Sequence, residues 1–198
     1  MTGLAAQRGF ADPARESQQI FRAAMDAMAR PGTIKTITTG LAPPPPLSPA
    51  AAALALTLAD YETPVWLDAS LAASMEVASF LRFHAGASIV SSPEEAAFAL
   101  AASPEVLPAL DSFALGTIDY PDRSTTLILQ VETLRAGDGW RLSGPGVPGG
   151  VRFHAAPTPA GFVPQREALR SLFPRGIDCF FVAGAALAAL PRTAKLEG

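Results

Sequence analysis

Two periods of hydrophobic spacing take turns along the chain. Ile20, Phe21, Ala24, Met25 and Met28 recur at helical spacing, behind a capping Asp12 and a Pro13 placed where its missing donor costs nothing. This predicts a helix from Pro13 to Ala29, stopped at Arg30-Pro31-Gly32. The β-branched run Thr33 to Thr38 predicts a strand. Four consecutive prolines, Pro43 to Pro46, predict a stiff polyproline connection. Ser48-Pro49 then opens an alanine- and leucine-rich helix to about Ala59, and Pro64 to Asp68 predicts a short buried strand ending in a carboxylate. Ala69 to Phe83 fits a helix with Leu71, Met75, Ala78 and Leu81 inward, and Ser88-Ile89-Val90 a strand. Ser92, Pro93 and Glu95 form a capping box for a helix to about Ala102, and Ser103-Pro104 opens a further turn or two.

From Thr125 the texture becomes extended. Thr125 to Leu134 predicts a strand, and Gly137-Asp138-Gly139 a hairpin turn into Trp140-Arg141-Leu142. Pro164 to Leu172 predicts a short amphipathic helix. Gly176 to Ala183 predicts a strand buried on both faces, and Gly184 to Leu190 a small helical piece before a tail from Pro191. Strands interleaved with helices imply an α/β fold, a mixed β-sheet with flanking helices, in a single domain over residues 1–198.

Composition narrows the function classes. Hydrophobic residues make up 49% and charged residues 17%, which excludes disorder and favours a large core or a buried apolar interface. A net charge of -3 gives no basic footprint for nucleic acid. The apolar runs Pro49 to Ala59 and Cys179 to Leu190 are too short to span a membrane, and Met1 to Asp12 lacks the pattern of a secretory signal. A soluble, cytoplasmic protein is expected. The single cysteine, Cys179, excludes an intrachain disulfide, and with only His84 and His154 beside it no metal-ligand spacing exists.

The remaining chemistry is sparse. The loop Ser143 to Gly150 is glycine-rich enough for Ser143, Gly144 and Gly146 to turn amides toward a phosphate, but it lacks the ending of a nucleotide-binding loop; a strand-exit loop with tight turns explains it better. Asp178, inside an apolar strand, needs a partner. A fork from Arg175 or Arg192 supplies one, with Arg175–Asp178 the expected structural ion pair. The functional alternative aims Arg175 or Arg192 at a substrate phosphate or at a partner. His84 is expected to act on its helix C-terminus, Cys179 to be inert core, and Asp60, Glu62 and Asp68 to be surface or turn residues. No catalytic set is recognisable, and catalytic residues stay unassigned.

The ordered motifs Phe21 to Gly32, Ser124-Thr125-Thr126-Leu127, Leu142 to Val147, Phe173 to Asp178 and Ala189 to Thr193 resemble the PhnH family. These are the H subunits of the bacterial carbon–phosphorus lyase core complex. The resemblance implies a fold similar to pyridoxal-phosphate-dependent transferases without that cofactor, in keeping with only two lysines, Lys35 and Lys195. It implies a homodimer joined to G, I and J subunits, with no cofactor bound by this chain. With the G, I and L proteins, the H subunit is implied in displacing adenine from ATP by an alkylphosphonate, giving a ribose 1-phosphonate 5-triphosphate. Two other readings stand beside it: an independent enzyme for a phosphorylated small molecule, and a purely structural adaptor.

Overall fold

In the computed structural model, which describes residues 8–197, the Asp12 side chain accepts a hydrogen bond from Arg15 N, while Glu16 Oε1 reaches back to the amides of Ala11 and Asp12. Those bonds start α1 (Pro13–Ala29), whose Arg30 cap closes it on Asp26 O. The predicted apolar stripe divides. Ile20 and Ala24 are buried together with Ala27, while Phe21 and Met25 are 47% and 42% exposed. The segment before Arg8, part of the stretch read for a secretory signal, lies outside the described residues.

After α1 come β1 (Lys35–Thr36), α2 (Pro49–Leu58), β2 (Val65–Leu67), α3 (Ala69–Ala72), α4 (Met75–Ala85), β3 (Ile89–Val90), β4 (Phe98–Ala101) and β5 (Thr126–Gln130). The second half adds β6 (Thr133–Ser143), β7 (Arg152–Ala156), α5 (Phe162–Arg170), β8 (Asp178–Ala183), β9 (Ala186–Leu190) and β10 (Lys195–Glu197). Seven strands form one mixed sheet in the order β1-β9-β8-β5-β4-β2-β3, and β10-β6-β7 form a small antiparallel sheet. Strands β3, β2, β4, β5 and β8 run parallel, while β9 turns back against β8 and β1 against β9.

Side-chain alternation splits the core into two slabs. Leu100, Ile128 and Phe180 sit in register and pack with α1, α2 and α4. Their neighbours Ala99, Leu127, Cys179 and Leu190 face the other way, onto Leu142, Phe153 and Leu196 of the small sheet and Phe162 of α5. The strand predicted around Gly176 to Ala183 is thus buried on both faces, as its uniform apolarity implies. Helix α2 is apolar all round for the same reason: Ala50 through Leu54 and Ala55 are buried, and alanine lets α1 and the sheet approach closely.

Several expectations fail for tertiary reasons. The capping box at Ser92 yields only a single 3-10 turn, Pro93–Glu95, and the predicted helix to Ala102 is instead β4, seated between β2 and β5. The predicted helical piece Gly184 to Leu190 is β9, paired to β8 through a tight turn at Gly184, whose φ is +57°. Gly137-Asp138-Gly139 is not a hairpin turn. It bulges out of β6, since Ala136 and Trp140 both oppose Phe153 of β7, and the glycine-rich loop itself joins the two strands. The proline run does not extend stiffly: Leu47 N bonds Pro44 O in a turn, which Gln130 holds through Pro46 O and Ser48 N. The helix read over Ala69 to Phe83 breaks into α3 and α4 at Ser74, whose side chain caps α4.

Candidate functional site

Strands β4, β5 and β8 start side by side, at Phe98, Thr126 and Asp178, and β9 ends beside them. This amino edge of the sheet carries a cluster of hydrogen-bonded polar groups. Arg192 is its centre. Its backbone amide and Nε bond the Asp178 carboxylate at 2.6 to 3.3 Å, and Nη2 reaches Asp178 Oδ2 and Ser124 Oγ. Its Nη1 bonds the carbonyls of Pro121 and Pro174. Gly176 makes the arrangement possible: at φ +150° it lies where a Cβ would press on Arg192 at 3.2 Å.

Asp178 is therefore served by Arg192. The expected Arg175–Asp178 ion pair is corrected: no such pair exists among the described residues, because the Pro191 turn delivers Arg192 onto the carboxylate first. Arg175 instead turns into a neighbouring hollow, where its Nε is buried without a hydrogen-bond partner. Arg166 lines the same hollow and was not singled out from the sequence. It is 6% exposed, and its guanidinium bonds Ile177 O and Pro191 O and approaches Cys179 Sγ. The available signal was an arginine at a core-facing position of the amphipathic Pro164 to Leu172 segment.

On the other side of the Arg192–Asp178 pair lies a cleft of about 380 Å³. Met25, Met28, Leu58, Phe98 and Phe180 make its walls apolar, with Thr126 and Asp178 as polar points. Met25 and Met28 of the α1 stripe therefore face this cleft, while Phe21 stays exposed outside it.

The structure draws the glycine loop to the same end of the molecule but gives it a packing task. A Cβ on Gly144 would meet Thr193 O at 2.9 Å, and one on Gly146 would overlap Ala29 O. Gly32 sits as tightly against Leu142. The loop thus locks the end of α1 to the tail. A helix C-terminus presents carbonyls and partial negative charge, a poor setting for a phosphate nest.

The other candidates scatter. Asp60 and Glu62 lie in a surface turn, but Asp68 is buried at 2% exposure, a correction to its surface assignment. Its carboxylate caps α3 through Leu71 N and accepts from Ser103 N, tying together the exits of β2 and β4. His84 lies in the last turn of α4 against the rings of Phe80 and Phe83, and His154 is in β7. Burial pushes the Cys179 thiol up to about 11, so it stays protonated and unreactive. Among the described residues no three His, Cys, Asp or Glu side chains come together as a metal site, and no helix is long and apolar enough to cross a membrane.

Residues 8–197 match the family described as bacterial phosphonate metabolism protein (PhnH). The chain is 45% identical over 188 residues to the alpha-D-ribose 1-methylphosphonate 5-triphosphate synthase subunit PhnH of Rhizobium meliloti, covering 95% of this chain and 94% of the relative. It is 31% identical over 107 residues, 54% of each chain, to HtxG of Stutzerimonas stutzeri, whose name proposes a C-P lyase subunit.

Proposed function

The chain belongs to the PhnH family of bacterial phosphonate metabolism proteins, and on that premise we propose that it is a non-autonomous subunit of a ribose 1-phosphonate 5-triphosphate synthase within a carbon–phosphorus lyase core complex. Its near full-length likeness to the Rhizobium meliloti subunit carries the reading. In the reaction, adenine is displaced from ATP by an alkylphosphonate with the help of G, I and L proteins, and a J subunit later breaks the C–P bond.

The residues support a part played through assembly. Among the described residues no acid, base and nucleophile stand together at the amino edge, where Asp178 and Arg192 neutralise each other. Phe21, Met25, Ile118, Tyr120 and Phe173, on the segments framing that edge, are large apolar side chains left exposed, which suits burial against a second copy and against partner subunits. Lys35 is held by Asp26, so its amine is an ion-pair donor.

The test is co-expression with the other core subunits, followed by size-exclusion chromatography and a nucleobase-release assay. Adenine release from ATP plus methylphosphonate should require this chain in the co-eluting complex. Turnover by the purified chain alone would overturn the reading.

A further inference from the structure

Four arginines, Arg166, Arg170, Arg175 and Arg192, line one small hollow between α5 and the approach to β8, together with Leu169, Phe173 and Ile177. Among the described residues two carboxylates offset them: Glu167 holds Arg170, and Asp178 holds Arg192. Two positive charges therefore face this recess unmatched by any carboxylate. Burying unbalanced charge is costly, and a fold bears it where something else supplies the counter-charge.

The donors are unsatisfied as well as the charges. Arg166 is more than nine-tenths buried, and its Nη atoms are spent on backbone carbonyls while its Nε has no partner. Arg175 Nε is buried and unpartnered too, and no ion pair or hydrogen bond engages that guanidinium among the described residues. Buried donors of this kind are rare and need an acceptor from outside the chain. The half-open recess holds about 10 Å³, room for one oxygen atom.

We propose that this hollow is an oxyanion seat: one oxygen of a tetrahedral phosphate-type group enters the recess between Arg166 and Arg175, while the rest of the group stays at the mouth beside Arg170. Arginine suits the task, because its planar fork matches such an anion and its charge never titrates away. Arg192 contributes by position only. Its donors are consumed by Asp178, Ser124 and two carbonyls, so the contact falls to Arg175 with Arg166 behind it. The inference concerns this chain alone and does not depend on its place in a complex.

Titration of the full chain with inorganic phosphate, pyrophosphate and tripolyphosphate at low salt, followed calorimetrically, tests it. Saturable binding is expected. A rise in affinity along the series would mark the end of a polyphosphate chain as the natural occupant, and equal affinity a lone tetrahedral anion. Arg175→Ala should weaken binding about tenfold or more, as loss of a charge-assisted hydrogen bond does. Arg170→Gln should weaken it less, and Arg152→Ala, outside the hollow, should leave it unchanged. No saturable binding to the unaltered chain, or equal losses in the Arg175 and Arg152 variants, overturns the proposal. So does a third result, in which Arg175→Ala abolishes co-elution with partner subunits while the anions never bind; the hollow would then receive a partner's carboxylate. Failure here leaves the assembly reading standing, and failure of the nucleobase-release assay leaves this one standing.

Discussion

The two ends of the parallel strands treat their polar groups in opposite ways. At the carboxyl end, the place where open α/β sheets commonly hold ligands, every singled-out polar group is occupied by the fold. Asp68 caps α3 and holds Ser103 N, and Gln130 ties Ser48 N to Pro46 O across the proline turn. A groove of about 330 Å³ beside Thr38, Ser48 and Gly184 has no charged side chain in its lining. At the amino end, Arg192 and Asp178 satisfy each other, yet Arg166 and Arg175 keep buried donors without partners. Among charged side chains, hydrogen-bond satisfaction therefore separates scaffold from candidate site better than position in the fold does.

That contrast can be broken first at Arg192. Arg192→Ala leaves the Asp178 carboxylate, at 20% side-chain exposure, with a backbone amide but no counter-charge, and leaves Ser124 Oγ and two carbonyls without their donor. Removing one partner of a largely buried pair should cost about 3–4 kcal/mol, read from urea unfolding. A loss under about 1 kcal/mol would mean the cluster is solvated and the amino edge is not held as described. Asp68→Ala probes the other end. It removes a helix cap and leaves the amides of Leu71 and Ser103 unpaired, so a loss of about 2–3 kcal/mol is expected by the same measurement. Adenine release by the assembled complex should survive that substitution wherever the variant is folded.

How much of this was legible in the sequence follows the range of the interactions. Helix α1 was readable because Asp12, Pro13 and the apolar spacing all act within a few residues. Strand β8 was readable because burial on both faces writes itself as continuous apolarity. By contrast, β4 and β9 are alanine-rich segments whose local preference is helical, and pairing with strands far along the chain overrode it. The candidate site divides the same way. Arg175, Asp178 and Arg192 could be picked out as charges beside an apolar strand, but the choice between the two arginines depended on Gly176 clearing space and on the turn at Pro191. Arg166 stayed hidden, since an arginine on a helix is ordinarily a solvated residue. The glycine loop was legible as a strand-exit loop, but the tight approach of Gly144 to Thr193 and of Gly146 to Ala29 was not, since no local pattern records it.

The smallest expected effect is also the sharpest. Arg175→Ala removes a guanidinium that stabilises nothing visible in the folded chain and relieves a buried Nε that has no partner. The lost contacts of its aliphatic stem offset that relief, so stability should stay within about 0.5 kcal/mol of the unaltered chain. Arg192 lines the same hollow and carries the same charge, so a severe loss at one and none at the other cannot come from net charge or from general packing. It follows only if one arginine is spent on the fold and the other is held in reserve. A loss above about 2 kcal/mol for Arg175→Ala would give Arg175 a structural partner and remove the distinction between the two ends of the sheet. A small gain would strengthen it, because residues retained for binding are commonly kept against stability.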